Sequence, residues 1–147
     1  MINIDIKSSR FEFNMAVNQK ITVIRGNSGK GKSTFAKAAE DVSGAYKISV
    51  SDPKYRLEAP SNKDWYRTIS RNIEHKDKCI YVIDDADYVT TKEFANLFKE
   101  DKYSFYILIN RFAGLSIRSM SQLPFDIDEV YEFKADGKKH WLSKDRA

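Results

Sequence analysis

A chain of 147 residues fits one domain, residues 1–147, able to bury about 70% of the surface it exposes when unfolded. With 41% hydrophobic and 31% charged residues it has the composition of a globular protein with a packed core, which excludes a disordered or low-complexity chain. The net charge of +4 is compatible with nucleotide or nucleic acid but forms no dense Lys/Arg stripe, so charge alone does not favour nucleic acid.

Residues 2–6 and 11–15 both alternate apolar and polar around a polar 7–10, which predicts an antiparallel hairpin and not a leader peptide. Ile21-Thr22-Val23-Ile24 reads as a short buried strand stopping at Gly26. A helical pattern follows from Gly31 to about Val42, with Phe35, Ala38 and Ala39 on one side and Ser43-Gly44 as its stop. Tyr46 to Val50 reads as a second strand closed by Asp52-Pro53. Asp64 to Glu74 reads as an amphipathic helix with Trp65, Ile69 and Ile73 inward.

The strongest strand signal is Cys79-Ile80-Tyr81-Val82-Ile83, running into Asp84-Asp85. A helix is expected from about Thr91 to Glu100 with Phe94, Leu97 and Phe98 as its apolar face. Tyr103 to Ile109 reads as another buried strand, and residues 114–123 as loop or short helix. A second hairpin closes the chain: Val130 to Lys134, a turn at Asp136-Gly137, then Lys139 to Leu142. Strands alternating with helices predict an α/β fold: a three-layer sandwich with a mainly parallel sheet, flanked by N- and C-terminal β-hairpins.

The segment Gly26-Asn27-Ser28-Gly29-Lys30-Gly31-Lys32-Ser33 satisfies G-x-x-x-x-G-K-[ST] at every fixed position, between a strand and a helix. Glycines let such a loop wrap closely, so that backbone N–H groups and the opening helix turn converge on phosphates. Lys32 adds a mobile positive charge for the β- and γ-phosphates, and the Ser33 hydroxyl is suited to Mg²⁺. The expected cofactors are therefore ATP and Mg²⁺. About fifty residues on, Asp84 ends an apolar strand, where it would hold the same Mg²⁺ through water as a Walker-B aspartate does. Asp85 is the candidate to orient or deprotonate an attacking water. A helix N-cap or solvated turn carboxylate is the competing reading of Asp85, and Asp87 is a poorer candidate for the same role.

Residues Gly26 to Thr34 resemble the phosphate loop of ABC-type ATPases and their AAA-like relatives, which carry G-x-x-G-x-G-K-S-T. The preceding hairpin and the paired acids after the Walker-B strand are similar to that group. So is the strand from Tyr103 ending in a polar residue. The resemblance implies a P-loop NTPase fold, and a nucleotide sensor at Asn110 or Arg111. Two departures are informative. The second acid is Asp85 where the group usually has Glu. No L-S-G-G-Q signature, nor room for the subdomain that carries it, lies between the phosphate loop and Asp84, which argues against a transporter motor.

The leading expectation is an Mg²⁺-dependent ATPase or ATP-driven switch. Its partner would be a second copy of the chain or another protein, with a subunit-supplied arginine such as Arg111 or Arg118 completing the site. A small-molecule or nucleotide kinase is the alternative, with residues 111–118 as a lid and Asp52 gripping the acceptor. A third reading is a nucleotide-regulated binding module using Lys76, Lys78, Lys138, Lys139, Lys144 and Arg146, with Trp65 or Trp141 stacking on bases. Phe11 or Phe13 is either an adenine platform, by analogy with ABC ATPases, or hairpin core. The lone Cys79 reads as a buried hydrophobe, and His75 and His140 lack zinc-ligand spacing. No apolar stretch nears the ~20 residues of a membrane helix, and a cytoplasmic location is the default expectation.

Overall fold

The structure is a computed structural model describing residues 1–25, 32–40, 44–84, 86–110 and 130–144, with Lys32, Ser33 and Asn110 described by backbone alone. The expected loop at residues 114–123 lies outside the described residues.

The described residues form nine strands, β1 (Ile2–Lys7), β2 (Glu12–Val17), β3 (Ile21–Arg25), β4 (Lys47–Val50), β5 (Arg56–Glu58), β6 (Cys79–Asp84), β7 (Phe105–Asn110), β8 (Val130–Asp136) and β9 (Lys139–Lys144). The helices are α1 (Lys32–Glu40), α2 (Trp65–Glu74) and α3 (Lys92–Glu100), with a 3₁₀ turn at Asp87–Thr90. Local chemistry explains the boundaries. At α3, the Thr91 side chain accepts a hydrogen bond from the Phe94 N–H at 3.2 Å, a cap that satisfies one of the helix's orphan donors. The β8–β9 turn places Gly137 at φ +62°, a conformation glycine adopts without steric cost.

All nine strands belong to one sheet in the order β4-β1-β2-β9-β8-β3-β7-β6-β5. The pairs β5–β6, β6–β7, β3–β7, β3–β8 and β2–β9 are parallel, whereas β1–β2, β1–β4 and β8–β9 are antiparallel. The two longest ladders, six residue pairs each, are antiparallel. The expectation of a P-loop three-layer sandwich with a mainly parallel sheet is therefore corrected. The sheet is mixed, and among the described residues only three short helices, of 9, 10 and 9 residues, accompany it. Two causes are visible. The strand after α1, β4, leaves the parallel series and pairs with β1, while both terminal hairpins enter the same sheet instead of flanking it.

The sheet is also curled. Its outermost strands, β4 and β5, are joined by residues 51–55 alone. Five residues span at most about 18 Å, whereas nine strands laid flat would extend about 38 Å. The core agrees with this geometry. Ile48 and Val50 of β4 share one apolar cluster with Leu57 of β5, Ile80 of β6 and Phe133 of β8. Phe35 and Ala38 of α1, both fully buried, sit in that cluster, so the curved sheet wraps around α1. A second cluster covers the other face, where Val23, Tyr81, Ile83, Tyr106 and Leu108 meet Ile69 of α2 and Phe94, Leu97 and Phe98 of α3.

Candidate functional site

Parallel pairing fixes where the candidate residues lie. Strands β3, β6 and β7 point the same way, so their C-terminal ends share one edge of the sheet. At that edge Arg25 is in register with Asn110, and Asp84 with Ile109, which is itself the partner of Ile24. Asp84 and the end of β3 are thus separated by one strand, about 10 Å at ordinary strand spacing.

The glycine-rich segment occupies the interval from Arg25, the last residue of β3, to Lys32, the first residue of α1. Gly26, Asn27, Ser28, Gly29, Lys30 and Gly31 lie outside the described residues, as do the side chains of Lys32 and Ser33. The flanks are the strand and helix that a phosphate loop requires. Helix α1 is anchored by the alanine-rich run Phe35-Ala36-Lys37-Ala38-Ala39, a good helix former with Phe35, Ala36 and Ala38 buried. Thr34 is half-buried in its first turn.

Side-chain alternation along β6 sorts its residues between the two faces. Cys79, Tyr81 and Ile83 belong to the α2/α3 cluster, and Ile80 and Val82 to the cluster around α1. Asp84 shares the parity of Ile80 and Val82, which directs its carboxylate to the α1 face, and it is exposed at the strand end. Asp85, Arg111 and Arg118 lie outside the described residues, as does the side chain of Asn110.

Comparison with protein-family models, with curated proteins and with solved structures found no match to this chain.

Several expectations are reshaped by the geometry of the fold. Asp87 opens the 3₁₀ turn, and its backbone carbonyl accepts the Thr90 hydroxyl at 2.9 Å, which fits a turn residue. Asp52 accepts the Lys54 N–H at 3.0 Å in the link leaving β4. Strand directions put that link at the N-terminal end of β6, the edge opposite the glycine-rich segment, so Asp52 is not brought to the site. Phe11 and Phe13 are buried, Phe13 packing on Phe35 at 4.9 Å between ring centroids, so both fill the core. The cations assigned to nucleic acid are split: Lys76 and Lys78 follow α2, whereas Lys138, Lys139 and Lys144 lie on the β8–β9 hairpin, with Lys138 paired to Glu12 at 3.3 Å. Arg146 lies outside the described residues. Among the described residues no group of three or more His, Cys, Asp or Glu is placed to hold a metal ion. None of the described helices is long and apolar enough to cross a membrane.

Sequence reading missed two residues at this edge. Arg25, directly before Gly26, is hydrogen-bonded and ion-paired to Glu132 of β8. Glu132 also pairs with Lys134 at 3.2 Å. Bonding to Arg25 first, and then to Lys134, holds the Glu132 carboxyl below its ordinary range. The position of Arg25 beside the glycines was the available signal, but its partner lies 107 residues away and only the β3–β8 register reveals it.

A third missed feature is an aromatic stack. Tyr88, in the 3₁₀ turn after β6, lies against Trp65, the first residue of α2, with centroids 4.5 Å apart and planes 6° apart. Tyr88 is buried, and its hydroxyl has no hydrogen-bond partner among the described residues. Burial raises its pKa well above the ordinary phenol value.

Proposed function

We propose that this protein binds ATP with Mg²⁺ through residues 26–34 and hydrolyses it, acting as an ATPase or an ATP-driven switch. One observation carries the reading. The G-x-x-x-x-G-K-S segment leaves the C-terminal edge of β3 and enters α1, and Asp84 ends β6 at that edge with its side chain on the α1 face. In parallel α/β arrangements ligands collect outside the carboxyl ends of the strands, and β3, β7 and β6 form such a parallel run here.

In this reading backbone N–H groups of Gly26 to Gly31, with the Lys32 ammonium, bind the phosphates. Asp85 orients the attacking water, and Asn110 or Arg111 senses the γ-phosphate. The donor set fits Mg²⁺, which takes one or two protein ligands beside phosphate oxygens and water, here the Ser33 hydroxyl and the Asp84 carboxylate. When bound, the ion neutralises charge on the phosphates. The chain's own contribution is positioning and electrostatic stabilisation.

The test is phosphate release from Mg·ATP and Mg·GTP over a range of protein concentrations, with Lys32→Ala as control. ATP turnover that Lys32→Ala abolishes supports the reading, and a steeper-than-linear rise with concentration assigns part of the site to a second copy. Turnover untouched by Lys32→Ala would refute it.

A further inference from the structure

Helix α2 divides sharply into two faces. Ile69 and Asn72 are buried and Trp65 and Ile73 half-buried, packed toward the α3 side of the sheet. The opposite face exposes Tyr66, Arg67, Arg71 and Glu74, and Lys63 is exposed in the turn before the helix. Arg67 and Arg71 lie within α2 four residues apart, a step of about 6 Å along the helix axis, and His75 caps its C-terminal end.

The surrounding segment, residues 54–78, holds seven Lys/Arg against four Asp/Glu, a surplus of three that makes up most of the chain's net +4. Local pairing consumes part of that charge. Arg56 is tied to Glu58 and Asp77 at 3.3 and 3.4 Å, and Arg67 meets Asp64 at 3.2 Å while remaining 80% exposed. Lys63, Arg71 and Lys76 have no acidic partner among the described residues. Asp64 and Glu74 are the acids that face solvent beside them.

We infer that this α2 face is a docking surface for the phosphodiester backbone of a nucleic acid. Arg67 and Arg71 at its centre offer planar forks that match phosphate oxygens, with Lys63 and Lys76 as exposed cations before and after the helix. Tyr66, half-exposed beside Arg67, adds a ring on which a base can stack. A lipid surface is a poor fit, because Trp65, Ile69 and Ile73, the apolar side of α2, are already packed in the core. A protein partner fits less well, since Tyr66 is the one apolar side chain exposed on the helix, where protein interfaces need an apolar centre. This inference does not depend on the nucleotide reading.

The experiment is fluorescence anisotropy of a labelled duplex and a labelled single strand, titrated with the full chain at several salt concentrations. The Arg67→Ala/Arg71→Ala double variant is compared with Lys138→Ala/Lys139→Ala on the hairpin. Thermal melts confirm that both variants fold, as their exposed positions imply. Expected is salt-sensitive binding that the α2 variant weakens at least about tenfold and whose salt slope it lowers by about two, while the hairpin variant stays near wild type. Preference for duplex or single strand identifies the form recognised, either agreeing with the inference. Absence of binding at low salt, equal losses in both variants, or tighter binding of polyglutamate than of either nucleic acid would overturn it.

Discussion

Trp65 and Tyr88 stack face to face with ring centroids 4.5 Å apart, joining the first residue of α2 to the 3₁₀ turn that follows Asp84. Only Asp85, Ala86 and Asp87 separate Asp84 from Tyr88. A shift of the Asp84 strand end on nucleotide binding would therefore be felt by the indole. Mg·ATP is expected to change the emission of the Trp141→Phe protein, in which Trp65 is the sole reporter. Little change is expected in Trp65→Phe, where the exposed Trp141 remains. The reverse pattern would place the moving element on the β8–β9 hairpin instead.

Tyr88 offers a stability test of the same stack. Its hydroxyl is buried with no partner among the described residues, and such a group costs about 1–3 kcal/mol. Tyr88→Phe keeps the ring against Trp65 and removes that cost. Urea unfolding is expected to show unchanged or higher stability, by up to about 1 kcal/mol. A clear loss would mean that the hydroxyl does bond in the folded protein.

The curled sheet depends on what fills it. Phe35 of α1 is fully buried between Phe13 and Phe133, at 4.9 and 6.0 Å between ring centroids. Phe35→Ala is expected to cost about 3–5 kcal/mol, because it removes the ring and leaves a cavity that strands on both sides must collapse to fill. Trp141→Ala, on an exposed position, should cost less than about 1 kcal/mol. Denaturant midpoints of the two variants separate a wrapped helix from a peripheral one.

Alkaline pH should destabilise the fold. Burial pushes the Cys79 thiol up from 9.0 to about 12, and burial raises the Tyr81 and Tyr106 phenols far above 10. Each of these groups is held neutral in the folded state. Their contribution is complete below the unfolded values of about 9 to 10 and is lost as pH rises toward the folded ones. The urea midpoint should be flat from pH 7 to about 8.5 and fall progressively above about 9. Cys79 should react with a thiol reagent at pH 8 only on unfolding. Rapid labelling of the native protein would contradict its burial.

Much of the element list was legible because strong local patterns decided it. The continuous apolar run at β6 and the amphipathic spacing of Phe94, Leu97 and Phe98 were read correctly, and the structure buries each of those residues. The pairing of the elements was less legible. Strand β5 is Arg-Leu-Glu, three residues with too little apolar signal, yet it forms the parallel edge beside β6. Tyr46 to Val50 reads as a second strand, and only its ladder with β1 shows that it belongs to the antiparallel side. Asp84 could be singled out as a candidate because an acid ending an apolar strand is a local pattern. The Arg25–Glu132 pair and the Trp65–Tyr88 stack are long-range contacts with no local signature.

The most direct test of nucleotide binding at residues 26–34 is an equilibrium titration of ATP into wild type, Lys32→Ala and Asp84→Asn, each with and without Mg²⁺. The expected result is Mg²⁺-enhanced binding by wild type, at least about tenfold weaker binding by Lys32→Ala, and loss of the Mg²⁺ enhancement in Asp84→Asn with ATP binding retained. Binding indifferent to both substitutions, or no binding by wild type at millimolar ATP, would contradict the assignment.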